Sequence, residues 1–136
     1  MKILVLSSWC PYPTNSGGRI RTKKLLEFLR ASHQVDHLTF CHNEEQKSLA
    51  QAEGSNGLLL QYESLDPSLP PSLRPFETSQ ARDILASLSG DGYNVTLFDQ
   101  LFVSNYWRMS CGLPVLFEHN IESQILRETV SSFQGA

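Results

Sequence analysis

The chain has 136 residues, 40% of them hydrophobic, which suits one domain with its own core and argues against a disordered segment. Its formal net charge of −3 argues against a nucleic-acid-binding protein, because such proteins normally present a basic face. The apolar run at the amino terminus is too short for a signal peptide or a membrane span, and the three cysteines show no CxxC spacing. We therefore expect a cytoplasmic protein with reduced thiols.

The chain begins with a strand pattern, a loop pattern and a helix pattern. The continuous apolar run at residues 3–6 predicts a strand covered on both faces, as in a parallel sheet. The stretch 8–18 is rich in proline and glycine and predicts a loop. Apolar positions at i, i+3, i+4 and i+7 then predict a helix over residues 22–29.

The middle of the chain continues this alternation. Residues 35–40 predict a second strand, and Asn43 is a candidate N-cap for a polar helix that runs to residue 53. The apolar run 58–60 predicts a third strand. Four prolines within residues 63–75 predict an irregular connection.

The last third of the chain predicts two more strands and three helices. The helices are predicted at residues 77–88, 101–109 and 120–127, and the strands at 95–98 and 114–117. The whole alternation predicts an α/β fold, a Rossmann-like parallel sheet flanked by helices in three α/β/α layers. Ligands of such sheets bind outside the carboxyl ends of the strands, so the loops that follow the strands are the candidate sites.

Three of these loops carry candidate site residues. At Gly17 and Gly18 a ligand can approach the backbone and the N–H groups of a helix start, although a plain turn would use the same residues. Asp99 follows the fourth strand and could bind a sugar hydroxyl or start the next helix. His119 follows the fifth strand and can exchange hydrogen bonds near neutral pH, while the adjacent Glu118 could contact a ligand or face solvent.

Four cations lie within six residues at the predicted first helix, namely Arg19, Arg21, Lys23 and Lys24. Such a run is ordinarily a solvated helix face. The alternative is contact with an anionic acceptor or with a membrane surface, since a helix start also attracts anions.

Several chemistries lack their sequence signatures. The histidines and cysteines have no zinc-site spacing, and no serine lies in a GxSxG elbow. The missing GxGxxG fingerprint argues against a dinucleotide-dependent oxidoreductase. We expect neither a metal nor a cofactor.

Two segments resemble the retaining GT-B glycosyltransferases of the glycosyltransferase family 4 type. The opening ILVLSSWCPYPTNSGGRIRT at residues 3–22 resembles the first strand of that family, with its Pro-x-Pro, its Gly-Gly pair and an arginine before a helix. The segment LPVLFEHNIES at residues 113–123 resembles the family's fifth strand and its Glu-His-Asn-x-Glu-Ser run. The resemblance spans the chain and implies that residues 1–136 form the acceptor-side, N-terminal Rossmann-like domain.

The resemblance implies roles for the matching residues. Gly17 and Gly18 would approach the donor diphosphate, and Arg19 would lie beside them near an anionic acceptor or a phosphate. His119 would be the catalytic residue of this half, bound to the donor sugar near the reacting carbon. A nucleotide-sugar donor and a sugar or lipid-linked acceptor are the implied partners.

The family's second domain, which supplies most donor contacts, has no counterpart in these 136 residues. We therefore expect the chain alone to be inactive, with exposed surface that favours a homo-oligomer. The alternative function is a non-catalytic Rossmann-like module that binds a phosphorylated ligand or a partner protein.

Overall fold

The computed structural model describes residues 1–62 and 66–118, and within them five strands form one sheet. The strands are β1 (Lys2–Ser7), β2 (Gln34–Cys41), β3 (Asn56–Leu59), β4 (Val95–Asp99) and β5 (Leu113–Phe117). They lie in the order β3-β2-β1-β4-β5, and every neighbouring pair is parallel. This topology confirms the predicted Rossmann-like α/β fold.

Three α-helices connect the strands in the described residues: α1 (Gly17–Arg30), α2 (Glu44–Ala52) and α3 (Ser79–Leu88). The caps follow the local sequence, since Asn43 and Thr78 accept hydrogen bonds from the first turns of α2 and α3. The predicted Asn43 cap is therefore confirmed. The predicted helix at residues 120–127 lies outside the described residues.

Two of the predicted helices differ from the structure, one in its first residue and one in its helix type. Helix α1 begins at Gly17, so the Gly-Gly pair forms its first turn instead of preceding it. The helix predicted at 101–109 has the predicted bounds, but Leu101–Met109 is a 3₁₀ helix and not an α-helix. Side chains three residues apart eclipse in a 3₁₀ helix, and this period buries both Val103 and Tyr106.

The helices cover both faces of the sheet. On one face, Leu26 of α1 packs with Ile3 and Val5 of β1. On the other face, Leu85 of α3 belongs to the core cluster that contains Leu4. Successive strand residues point to opposite faces, so a continuous apolar β1 is what a doubly covered strand requires.

The sheet also fixes where a ligand can enter. Strands β2 and β4 lie on opposite sides of β1, so the connections that follow β1 and β4 diverge at their carboxyl ends and open a crevice there. At the outer side, β5 keeps Leu113 and Leu116 exposed by 63% and 41%. The turn into β5 requires Gly112, because φ is +77° and a Cβ would lie 2.4 Å from the carbonyl oxygen of Asn94.

Candidate functional site

A cleft of about 310 Å³ opens at this crevice, on the carboxyl edge of the sheet. Its walls come from the loop after β1, the first turns of α1, the residue after β2 and the residue after β4. The lining residues are Trp9, Ser16, Gly18, Arg19, Thr22, His42 and Gln100. Two of the predicted site residues, Gly18 and Arg19, are therefore part of one cavity.

The start of α1 forms the wall of the cleft best suited to an anion. Its N-cap Ser16 makes no side-chain capping bond, and its first turn contains no acidic residue. The first N–H groups of a helix have no intrahelical acceptor, so they can donate to a ligand. A Cβ built on Gly17 or Gly18 meets no atom within 4 Å, so the packing of the fold does not require glycine at either position.

Arg19 joins this helix start to the loop that follows β1. Its Nη1 atom donates to the carbonyl oxygen of Pro13 at 3.0 Å and to Oδ1 of Asn15 at 2.9 Å. Both bonds use the same nitrogen of a guanidinium group that carries five N–H donors. Arg19 can therefore hold the loop in place and contact a ligand from the cleft wall.

Trp9 and His42 form the aromatic wall of the cleft. Their rings stack with centroids 5.4 Å apart and planes inclined by 18°, and Phe76 contacts the Trp9 ring edge-on at 5.0 Å. The Trp9 side chain nevertheless remains 38% exposed. His42 Nδ1 lies 3.0 Å from the Tyr62 hydroxyl, which fixes the orientation of the imidazole. The result is a partly exposed ring, packed against His42 and Phe76, beside the start of α1.

Sequence reasoning missed Trp9 and His42 as site residues. We examined His42 only as a metal ligand, and we treated Trp9 as part of a loop. The available signal was position, because His42 directly follows β2 and Trp9 lies two residues after β1. Both therefore lie at the ligand-binding edge of a parallel sheet.

Gln100 carries a strained backbone at the bottom of the crevice. Its φ is +79°, and it is the one residue other than glycine with positive φ in the described parts of the chain. A hydrogen bond to β5 stabilises this conformation, since the Gln100 N–H donates to the carbonyl oxygen of Phe117 at 2.9 Å. Strain of this kind costs about 1–3 kcal/mol and concentrates at ligand sites.

Asp99 lies beneath the cleft and is not one of its lining residues. The side chain is 2% exposed, and Oδ2 accepts a hydrogen bond of 2.7 Å from the Thr22 hydroxyl. This bond ties α1 to the end of β4. The geometry therefore gives Asp99 a role in positioning α1, through Thr22, and its contact with a sugar hydroxyl stays a prediction.

Glu118 also supports the turn after β4. Its Oε2 accepts a hydrogen bond of 2.9 Å from the Leu101 N–H, the first residue of the 3₁₀ segment. It is not among the cleft-lining residues of the described chain. His119, the predicted catalytic residue, lies outside the described residues.

A buried histidine network lies apart from the cleft. His37 Nε2 is 2.7 Å from the Ser7 hydroxyl, and His37 Nδ1 is 2.7 Å from the Ser55 hydroxyl. With the Ser7 hydroxyl assigned as donor to Thr39, Nε2 is the protonated nitrogen of a neutral ring. Burial lowers the pKa of His37 to about 3, so the ring stays neutral at physiological pH. The network joins β1, β2 and the turn before β3.

Two further kinds of site, a metal centre and a membrane-spanning helix, are absent from residues 1–62 and 66–118. Those residues bring together no group of three His, Cys, Asp or Glu side chains that could hold a metal ion. None of the helices in the described chain combines the length and the apolar character needed to cross a membrane. No protein-family model and no curated protein matches the sequence.

Proposed function

We propose that this chain is the acceptor-side, N-terminal half of a retaining GT-B glycosyltransferase of the glycosyltransferase family 4 type. The enzyme would transfer a sugar from a nucleotide-sugar donor to an acceptor in the cytoplasm. The observation that carries the proposal is the cleft at the carboxyl edge, where the open start of α1 adjoins the exposed ring of Trp9. These two features suit a ligand that contains both a phosphate and a ring.

The phosphate is the part of the ligand that the start of α1 would bind. Backbone N–H groups at Gly17 and Gly18 would donate to an oxygen of the donor diphosphate, and the helix dipole favours the negative charge. The same groups would stabilise the charge that develops on the leaving phosphate during transfer. The open space at both glycines supports this role, because any side chain there would occupy the path of the ligand.

The sugar is the part that the aromatic wall would bind. The apolar C–H groups of a pyranose can pack on the face of an indole ring, whose quadrupole is negative there. The Gln100 amide and the His42 imidazole supply donors and acceptors for hydroxyl groups beside that ring. Pockets that combine an aromatic wall with a few polar groups are typical of small-molecule sites.

Two parts of the proposal depend on the family resemblance. His119 would hydrogen-bond the donor sugar near the reacting carbon, so His119→Ala should strongly reduce turnover once the chain is joined to its second domain. That domain would supply most of the donor contacts. We therefore expect the 136-residue chain to bind donors weakly and to transfer no sugar by itself.

The proposal is tested by titrating the chain with UDP-glucose and GDP-mannose by calorimetry, in the wild type and in Gly18→Ala. We expect the wild type to bind at least one donor and the variant to lose about tenfold or more in affinity, because the added methyl group blocks the backbone N–H groups. Gly90→Ala is the matched control, since Gly90 is equally open and distant from the cleft.

Three other results would change the conclusion. Equal affinities of Gly18→Ala and Gly90→Ala would exclude the helix start as the donor site. Binding of free phosphate or diphosphate with no preference for a sugar-bearing donor would favour the non-catalytic module. Absence of binding by any of these compounds would contradict both functions for this cleft.

A further inference from the structure

The charges of the chain are distributed unevenly, and α1 is its basic element. This helix carries five of the eleven lysines and arginines but only one of the fourteen acidic residues, Glu27. Its net charge is therefore +4, whereas the whole chain carries −3 and the remaining residues carry −7. A helix with this charge in an otherwise acidic protein presents one surface to an anionic partner.

The outward face of α1 is apolar as well as basic. Thr22 and Leu26 of the helix are buried against the sheet. On the opposite side, Ile20 and Phe28 are 47% and 75% exposed, and Phe28 has the largest exposed fraction among the large apolar side chains of the described residues. Ile20, Lys24 and Phe28 are spaced at i, i+4 and i+8, so they form one row along the helix, beside which Glu27 pairs with Lys24 at 3.6 Å.

We propose that this outward face of α1 docks on the surface of an anionic phospholipid membrane. Ile20 and Phe28 would enter the boundary between headgroups and acyl chains, and the cations on either side of them would contact lipid phosphates. An amphipathic surface helix binds in this way when it combines Lys and Arg with exposed Phe or Leu. The 14 residues of α1 give a contact about 21 Å long that lies parallel to the membrane.

The exposed apolar row favours a lipid surface over a nucleic acid. A nucleic-acid backbone would use the cations alone and would leave Ile20 and Phe28 without a role. A lipid surface accommodates both kinds of side chain, because the headgroup region accepts the charges and the acyl boundary accepts the apolar side chains. The acidic remainder of the chain would be repelled by the same membrane, and this repulsion sets the orientation of the domain.

Docking would also place the cleft near the lipid. Gly18 and Arg19 belong to the first turns of α1 and line the cleft. A membrane-bound α1 would therefore bring the mouth of the cleft to the headgroup surface, which, given the proposed function, favours a lipid-linked acceptor. Vesicle binding needs neither a donor nor sugar transfer, so it can succeed or fail independently of the glycosyltransferase proposal.

The test is flotation of the chain with phosphatidylcholine vesicles, with and without added phosphatidylglycerol, at low and high salt. Three double variants are compared. Arg21→Gln with Lys24→Gln removes charge from α1, and Lys47→Gln with Arg108→Gln removes the same charge elsewhere. Ile20→Ser with Phe28→Ser removes the apolar row, for which Leu49→Ser on α2 is the control because Leu49 is 40% exposed.

We expect the wild type to bind only the anionic vesicles, and less at high salt. Each cation near such a surface contributes roughly fivefold to the partition coefficient, so the α1 charge variant should lose about 25-fold or more. The apolar variant should lose about tenfold, and both controls should stay near the wild type.

Two outcomes would overturn the docking proposal. One is failure of the wild type to float with anionic vesicles. The other is an apolar variant that binds as well as Leu49→Ser, which would make α1 a general anion-binding face. Circular dichroism of each variant separates lost binding from lost folding. Substitutions at exposed positions usually change stability by less than about 0.5 kcal/mol, and among the substituted residues only Lys47 is partly buried.

Discussion

The two edges of the sheet each carry a cavity, and the larger one is the less suited to a ligand. The cavity at the amino edge has a volume of about 660 Å³, against about 310 Å³ for the cleft at the carboxyl edge. At the amino edge, however, polar groups bind one another. Lys2 Nζ donates to the Asp91 carbonyl oxygen at 2.9 Å, and the Tyr93 hydroxyl donates to Asp36.

The carboxyl edge shows the opposite arrangement. The start of α1 has no side-chain cap in the described structure, and Gln100 is held in a strained conformation. The comparison teaches that the larger volume of the amino-edge cavity does not by itself make it the better candidate site. Polar groups that the fold leaves available to a ligand, together with local strain, favour the carboxyl edge as the candidate site.

The largest expected effect is on the free energy of unfolding, in a comparison of two glycines that lie at opposite edges of the sheet. Gly112→Ala should lower the free energy of unfolding by about 3 kcal/mol or more, because φ is +77° and the new Cβ would clash with Asn94. Gly18→Ala should leave stability unchanged or raise it by up to about 1 kcal/mol, since alanine suits a helix better. Urea unfolding at neutral pH measures both. A Gly18→Ala variant as unstable as Gly112→Ala would show that the fold itself requires the glycine of the cleft.

The next effect is a pH dependence that comes from His37, outside the cleft. The folded protein keeps this ring neutral, with its pKa lowered to about 3, while the unfolded chain takes up a proton below about pH 6.5. The His37 contribution to stability is therefore constant above pH 6.5 and falls by about 1.4 kcal/mol per pH unit below it.

Between pH 6.5 and pH 5 this amounts to about 2 kcal/mol. Urea unfolding at several pH values measures the slope, and His37→Gln should reduce it. The variant will be less stable at every pH, so the slope and not the absolute stability is the readout. An unchanged slope in His37→Gln would assign the pH dependence to other groups.

The smallest expected effect concerns the strain at the cleft. Gln100→Gly should remove the strain of the positive φ, because glycine adopts this conformation readily. The gain in stability should be about 1 kcal/mol or less, since glycine also increases the entropy of the unfolded chain. Donor affinity should fall, since the side-chain amide that lines the cleft is lost. Denaturation and calorimetry on the same preparations measure the two changes. Lower stability in Gln100→Gly would show that the conformation is not strained.

The strands of the sheet were well predicted from the sequence, because a strand that is buried on both faces needs a continuous run of apolar residues. The apolar runs of β1 and β4 and the Asn43 cap follow from local rules that need no tertiary contacts. The segment Leu101–Met109 did not follow from them, since only two of its positions are fully buried and a spacing of three fits either helix type. The start of α1 at Gly17 was also missed, because glycine is a poor helix former.

Only part of the candidate site could be predicted from the sequence. Gly18 and Arg19 adjoin in sequence, so a local pattern could find them. Trp9 and His42 lie 33 positions apart and meet only because β1 and β2 are neighbours in register. The strain at Gln100 has no signature in the residue type, and the burial of Asp99 depends on α1 packing over β4.

The central claim is that ligands bind at the carboxyl edge, and an amide NMR titration of the ¹⁵N-labelled chain with UDP-glucose and GDP-mannose tests it most directly. We expect the largest shifts at Gly17, Gly18, Arg19 and Gln100 and at the indole N–H of Trp9, with the Trp107 indole unchanged. Trp107 is a suitable internal reference, because it is 41% exposed and does not line the cleft. Shifts confined to the amino-edge residues Lys2, Asp36 and Tyr93, or no shifts with either donor, would contradict the account.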